Sequence, residues 1–120
     1  MKPLRIFLLI AVALVTLACN AIFPTEEPPG VGDKAEHGYA LSEPVIDALE
    51  QYKEDNGVYP DTLAELAPNY LLEAPKKSDE LDFSYSSTGD SFSFSFQYFG
   101  PGMNTCVYTP EKQWQCSGAY

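Results

Sequence analysis

Three patterns of apolar and polar positions divide this chain. The first has no period: residues 6–18 form a run of 13 positions that are apolar except for Thr16, preceded by Lys2 and Arg5. A spanning helix needs roughly 20 apolar residues, so this run reads as the core of an export signal rather than a permanent anchor. The second pattern has helical spacing. Leu41, Val45, Ile46, Leu49 and Tyr52 recur three and four positions apart with charged residues between them, which predicts an amphipathic helix. Ser42 can cap it with Pro44 in the first turn, or it begins nearer Gly38; Asn56-Gly57 closes it, because glycine takes the left-handed conformation that ends helices. A short second helix is predicted over residues 62–67, capped by Asp61 and stopped by Pro68, with Leu63 and Leu66 facing inward. The third pattern has period two. Phe83, Tyr85, Phe92, Phe94, Phe96 and Tyr98 alternate with mostly serine neighbours, and period two means strand.

The strands can be registered by counting. A two-residue turn at Gly89-Asp90 sets Thr88 opposite Ser91, Tyr85 opposite Phe94, Ser84 opposite Ser95 and Phe83 opposite Phe96. All the aromatics then share one face, and a slip of one residue would destroy it. A second hairpin, residues 104–109 and 113–116 around Pro110-Glu111-Lys112, puts Thr109 opposite Gln113, Tyr108 opposite Trp114 and Cys106 opposite Cys116. Directly opposed residues of a non-hydrogen-bonded pair are close enough for a disulfide. Closing that 11-residue loop is worth about 2.8 kcal/mol on the loop-entropy model. The expected fold is α+β: an N-terminal helix and a short second helix packed on a small antiparallel sheet of two hairpins, with Phe94 and Phe96 beneath Leu49 and Tyr52.

Residues 20–36 contain Pro24, Pro28, Pro29, Gly30 and Gly32 with acidic residues between them. Such a composition favours an extended, solvated tether. The expected organisation is a signal peptide over 1–18, a tether over 19–36 and one globular domain over 37–120. Loss of the signal removes Lys2 and Arg5, leaving 5 basic and 17 acidic side chains and a net charge of −12. That charge repels phosphate backbones and anionic head groups, so neither nucleic acid nor an anionic bilayer surface is an expected partner. Of the three cysteines, Cys106 and Cys116 form a pair suited to an oxidising compartment and Cys19 is left over.

The tetrad Thr16-Leu17-Ala18-Cys19 resembles the lipobox of bacterial lipoproteins. The resemblance implies that Cys19 is acylated and becomes the new N-terminus, so that the protein reaches the membrane through lipid on Cys19. Ala48-Leu49, Tyr52, Asp55-Asn56-Gly57, Tyr59-Pro60, Thr62-Leu63, Leu66, Pro68 and Tyr70-Leu71, followed by Pro75, resemble the globular domain of type II secretion pseudopilins, within the wider type IV pilin-like superfamily. That resemblance implies a helix packed on a small antiparallel sheet, a pilin-like head. It does not extend to the filament-building stem: residues 1–19 lack its early glutamate. Nor does it extend to the calcium loop of the major pseudopilin, because residues 100–104 offer one side-chain oxygen where carboxylates are needed. A monomeric domain without metal or cofactor is therefore expected.

Catalysis needs convergent groups of matched proton affinity. His37 lies in a polar stretch beside the tether, and Ser84, Ser86, Ser93 and Ser95 read as the outer face of a hairpin without a partner base. Asp79-Glu80-Leu81-Asp82 lacks the glycine and spacing of a calcium loop and reads as a solvated acidic turn. The sequence therefore points to a non-enzymatic, lipid-anchored protein of the cell membrane or outer membrane, its domain facing the periplasm or exterior. Its expected role is binding or structural, beside a type II secretion or pilus-like system with an envelope protein partner. The alternative is an independent cell-surface ligand-binding or adhesion module on the same fold.

Overall fold

The computed structural model describes residues 26–100 and 102–119; the signal run and Cys19 lie outside the described residues. One long helix, α1 (Asp33–Asn56), precedes a single 3-10 turn (Leu63–Leu66) and four strands: β1 (Leu81–Ser87), β2 (Phe92–Phe99), β3 (Met103–Thr109) and β4 (Gln113–Ala119). The strands form an antiparallel meander in chain order, and α1 packs on one face of it, which makes the domain α+β.

The helix begins earlier than the hydrophobic pattern indicates. It starts at Asp33, inside the stretch expected to be tether, and Ser42 and Pro44 lie within it. The reason is the size of the residues at the interface. Ala35, Gly38 and Ser42 are all buried against the sheet, and small residues there bring the helix backbone close without giving any apolar signal. Ser42 therefore caps nothing: its hydroxyl donates back to the Gly38 carbonyl at 2.6 Å. Pro44 lacks the N–H that an interior helical residue would donate to the preceding turn. Leu41, counted as part of the apolar stripe, lies off the buried face and is 40% exposed. The C-terminus ends as predicted, with Gly57 at φ 80° and its N–H donating to the Lys53 carbonyl.

The second helix is a correction. Residues 62–67 hold only the Leu63–Leu66 3-10 turn, with Thr62 rather than Asp61 at its N-cap position. The Glu65 carboxylate reaches back to accept the Thr62 N–H at 2.9 Å. This reciprocal contact and Pro68 leave room for one turn only. Leu66 is fully buried while Leu63 is half-buried.

Both hairpins have the counted register. Tyr85 pairs with Phe94, Ser84 with Ser95 and Phe83 with Phe96; Thr109 pairs with Gln113, Tyr108 with Trp114 and Cys106 with Cys116. Gly89 turns the first hairpin at φ 88°. The inward face of β2 (Phe92, Phe94, Phe96, Tyr98) is buried throughout. Phe94 packs in one core cluster with Val45, Leu49 and Leu66. Phe96 does not lie beneath Leu49 and Tyr52 as expected. It belongs to a second cluster with Ala35, Leu81 and Cys106, directly under Gly38.

Tyr59 ties the segment after α1 to the helix. Its ring is buried, its hydroxyl donates to the two Glu50 carboxylate oxygens at 3.0 and 3.1 Å, and Lys53 lies 4.6 Å from the ring centre. Burial first, and then the Glu50 hydrogen bond, pushes the phenol from 10.0 up to about 12. The folded state therefore holds this proton more tightly than the unfolded chain. Its stabilising contribution is complete below pH ~10, the unfolded value, and is lost as pH rises through the folded value. Tyr59→Phe should accordingly melt below wild type at neutral pH, with the gap in Tm narrowing between about pH 10 and 12. A gap that stays constant across that range would show that the phenol titrates alike in both states.

Candidate functional site

The disulfide links β3 and β4, with Cys106 and Cys116 Cα atoms 4.1 Å apart, close to the ~4.5 Å of a non-hydrogen-bonded pair. It also receives the N-terminal segment. The Tyr39 hydroxyl lies 3.0 Å from Cys116 Sγ and donates to the Gly30 carbonyl at 3.2 Å, while the Gly30 N–H donates to the Tyr98 hydroxyl at 2.9 Å. Both backbone groups of Gly30 are thus held by phenols. Only glycine suits the position: φ is 85° and a Cβ would fall 2.6 Å from Cys116 Sγ. Burial, with Tyr98 nearby, pushes the Tyr39 phenol upward. Part of the expected tether is consequently docked on the domain.

Beside this clasp a groove of about 350 Å³ opens between α1 and the end of the second hairpin. Glu43 and Asp47 form one wall, Ile46 contributes from the helix, and Tyr108, Gln113 and Trp114 form the other wall. The aromatic wall is braced from behind. Trp114 meets Tyr39, Phe96 and Tyr108 edge-on at 5.0, 5.4 and 5.4 Å between ring centres, and Tyr108 stacks on Phe92. The Tyr108 hydroxyl donates to Gln113 Oε1 at 3.1 Å, and Gln113 Nε2 donates to the Pro110 carbonyl at 3.0 Å. Glu43 and Asp47 are exposed and one helical turn apart, so they repel each other mildly. Among the described residues neither makes an ion pair, and the two ion pairs present are Lys76–Glu73 and Lys77–Asp82.

The other residues singled out by sequence are dispersed. His37 is exposed on α1. The four serines lie on the sheet face opposite the helix. In the acidic turn, Lys77 takes Asp82 at 2.6 Å, and the Ser78 hydroxyl accepts the Glu80 and Leu81 N–H groups. Among the described residues no three of His, Cys, Asp and Glu gather in a metal-binding arrangement, and no helix is long and apolar enough to cross a membrane. The groove itself was not apparent in the sequence. Its only trace there is the Glu43/Asp47 spacing of four and the Tyr108–Trp114 pairing, which no local pattern relates to each other. Comparison of the chain with known protein families and with curated proteins finds no match.

Proposed function

We propose that this is a lipid-anchored envelope protein whose α+β domain serves a non-enzymatic binding or structural role beside a type II secretion or pilus-like system. The carrying observation is the cysteine accounting. Cys106 and Cys116 are joined to each other, which leaves Cys19 as the remaining cysteine of three, at the end of an export signal and in a lipobox-like tetrad. A disulfide within so small a domain suits an exported protein. A helix laid on one face of an antiparallel meander supports the pilin-like head; the finer assignment rests on the motif residues between Pro44 and Pro75.

Cys19→Ser tests the anchor by cell fractionation. The variant should accumulate unprocessed or leave the membrane pellet. Normal maturation with full retention in the pellet would refute lipidation at Cys19. The alternative role as an independent surface-binding module shares this anchor and differs in its partner.

A further inference from the structure

The geometry points to the groove between α1 and the second hairpin as a binding site for an arginine side chain presented by a basic protein segment. This deepens the proposed binding role and rests on it. The two walls offer complementary halves of one recognition task. The Glu43 and Asp47 carboxylates accept hydrogen bonds and carry charge, while Trp114 and Tyr108 present ring surface across a gap of about 350 Å³. A guanidinium is planar, always charged and weakly hydrated, so it stacks on an aromatic face while donating two parallel hydrogen bonds to a carboxylate. The volume falls within the range of about 300–1,000 Å³ typical of small-ligand sites.

Charge complementarity selects the occupant. A cation held between Glu43 and Asp47 replaces their mild mutual repulsion with attraction, and none of the described lysines pairs with either carboxylate. Lys34 donates to the Phe99 carbonyl and Lys53 to the Asp90 carbonyl, and Lys76 and Lys77 pair with Glu73 and Asp82. Lys112, beside Glu111 in the turn, makes no ion pair with either groove carboxylate. The aromatic wall is already fixed by Tyr39, Phe96 and the Tyr108–Gln113 bond, so little ordering cost is left for binding. Among the described residues no side chain takes that place, and the net charge of −12 on the mature chain attracts basic partners over the last Debye length.

Trp114 is the chain's single tryptophan and lines the groove, so its fluorescence reports occupancy. The full chain, purified in neutral detergent at physiological ionic strength, is titrated with a short capped peptide containing two arginines, and with the same peptide carrying neutral citrulline or lysine. The arginine peptide should give a saturable change, with citrulline and lysine versions weaker by about tenfold or more. Glu43→Gln/Asp47→Asn should weaken arginine binding by about tenfold or more, while Asp79→Asn/Glu80→Gln, which removes the same charge elsewhere, should change it less than about twofold. Equal weakening by the two double variants would show general attraction to an acidic protein and overturn the site. So would equal binding of the citrulline or lysine peptide, or no saturation with arginine. The fractionation of Cys19→Ser is a separate readout: loss of arginine binding with intact anchoring rejects the groove alone.

Discussion

Phe94→Ala should destabilise the domain by about 3–5 kcal/mol, the range for deleting a fully buried aromatic side chain. Phe94 has no exposed surface. It packs with Val45, Leu49 and Leu66 and stacks on Phe83 at 6.0 Å between ring centres. It therefore joins the helix, the 3-10 turn and the first hairpin, and none of the three can collapse into the space left behind without losing its other contacts. For a domain of this size the loss corresponds to a fall in Tm of roughly 15–30 °C, readable by calorimetry. A surface ring would cost little, so a Tm within a few degrees of wild type would remove Phe94 from the core and place the aromatic face of β2 at the surface.

The second large effect runs against helix propensity. Alanine is a better helix former than glycine by about 1 kcal/mol, yet Gly38→Ala should destabilise the domain. An added Cβ would fall 2.3 Å from Phe96 Cε2 and 2.5 Å from Cδ2. The ring cannot swing aside: it is fully buried and bounded by Tyr39 at 5.2 Å and Trp114 at 5.4 Å. Overpacking of this kind costs about 1–3 kcal/mol, to be read by denaturant melts. Phe96→Leu distinguishes the clash from any other fault at position 38. It should cost less in the Gly38→Ala background than in wild type, with a coupling of about 0.5–3 kcal/mol. Additive losses would mean that the two positions do not press on each other.

What the sequence revealed depended on the range of the interactions involved. The register of both hairpins was legible because a period-two aromatic face and a tight turn each constrain it, and a disagreement of one residue between them would expose Phe94 or Phe96. Cys106–Cys116 followed from the same count. The start of α1 was not legible, because Ala35, Gly38 and Ser42 are buried for their smallness, and smallness carries no hydrophobic period. Leu63 and Leu66 have the spacing that predicts a helix; the Thr62–Glu65 contact and Pro68 confine that spacing to one 3-10 turn. Leu41 belongs to the stripe by its chemistry alone, while the angle set by Gly38 and Val45 turns it to solvent. The groove has no local signature in the sequence for a different reason. Glu43 and Asp47 lie more than 60 residues before Tyr108 and Trp114, and only the packing of the helix on the sheet brings them together.

The clasp at Gly30 also determines how the domain answers a mechanical load. Tension on the segment that precedes α1 bears on Gly30, whose N–H and C=O are gripped by Tyr98 and Tyr39. The force passes through Tyr98 into β2, next to strands that are covalently crosslinked. Peeling α1 away from its first turn requires both phenol bonds to break beforehand. Tension is thus shared between the sheet and the helix, and the least protected end of the helix is shielded from being drawn out one residue at a time.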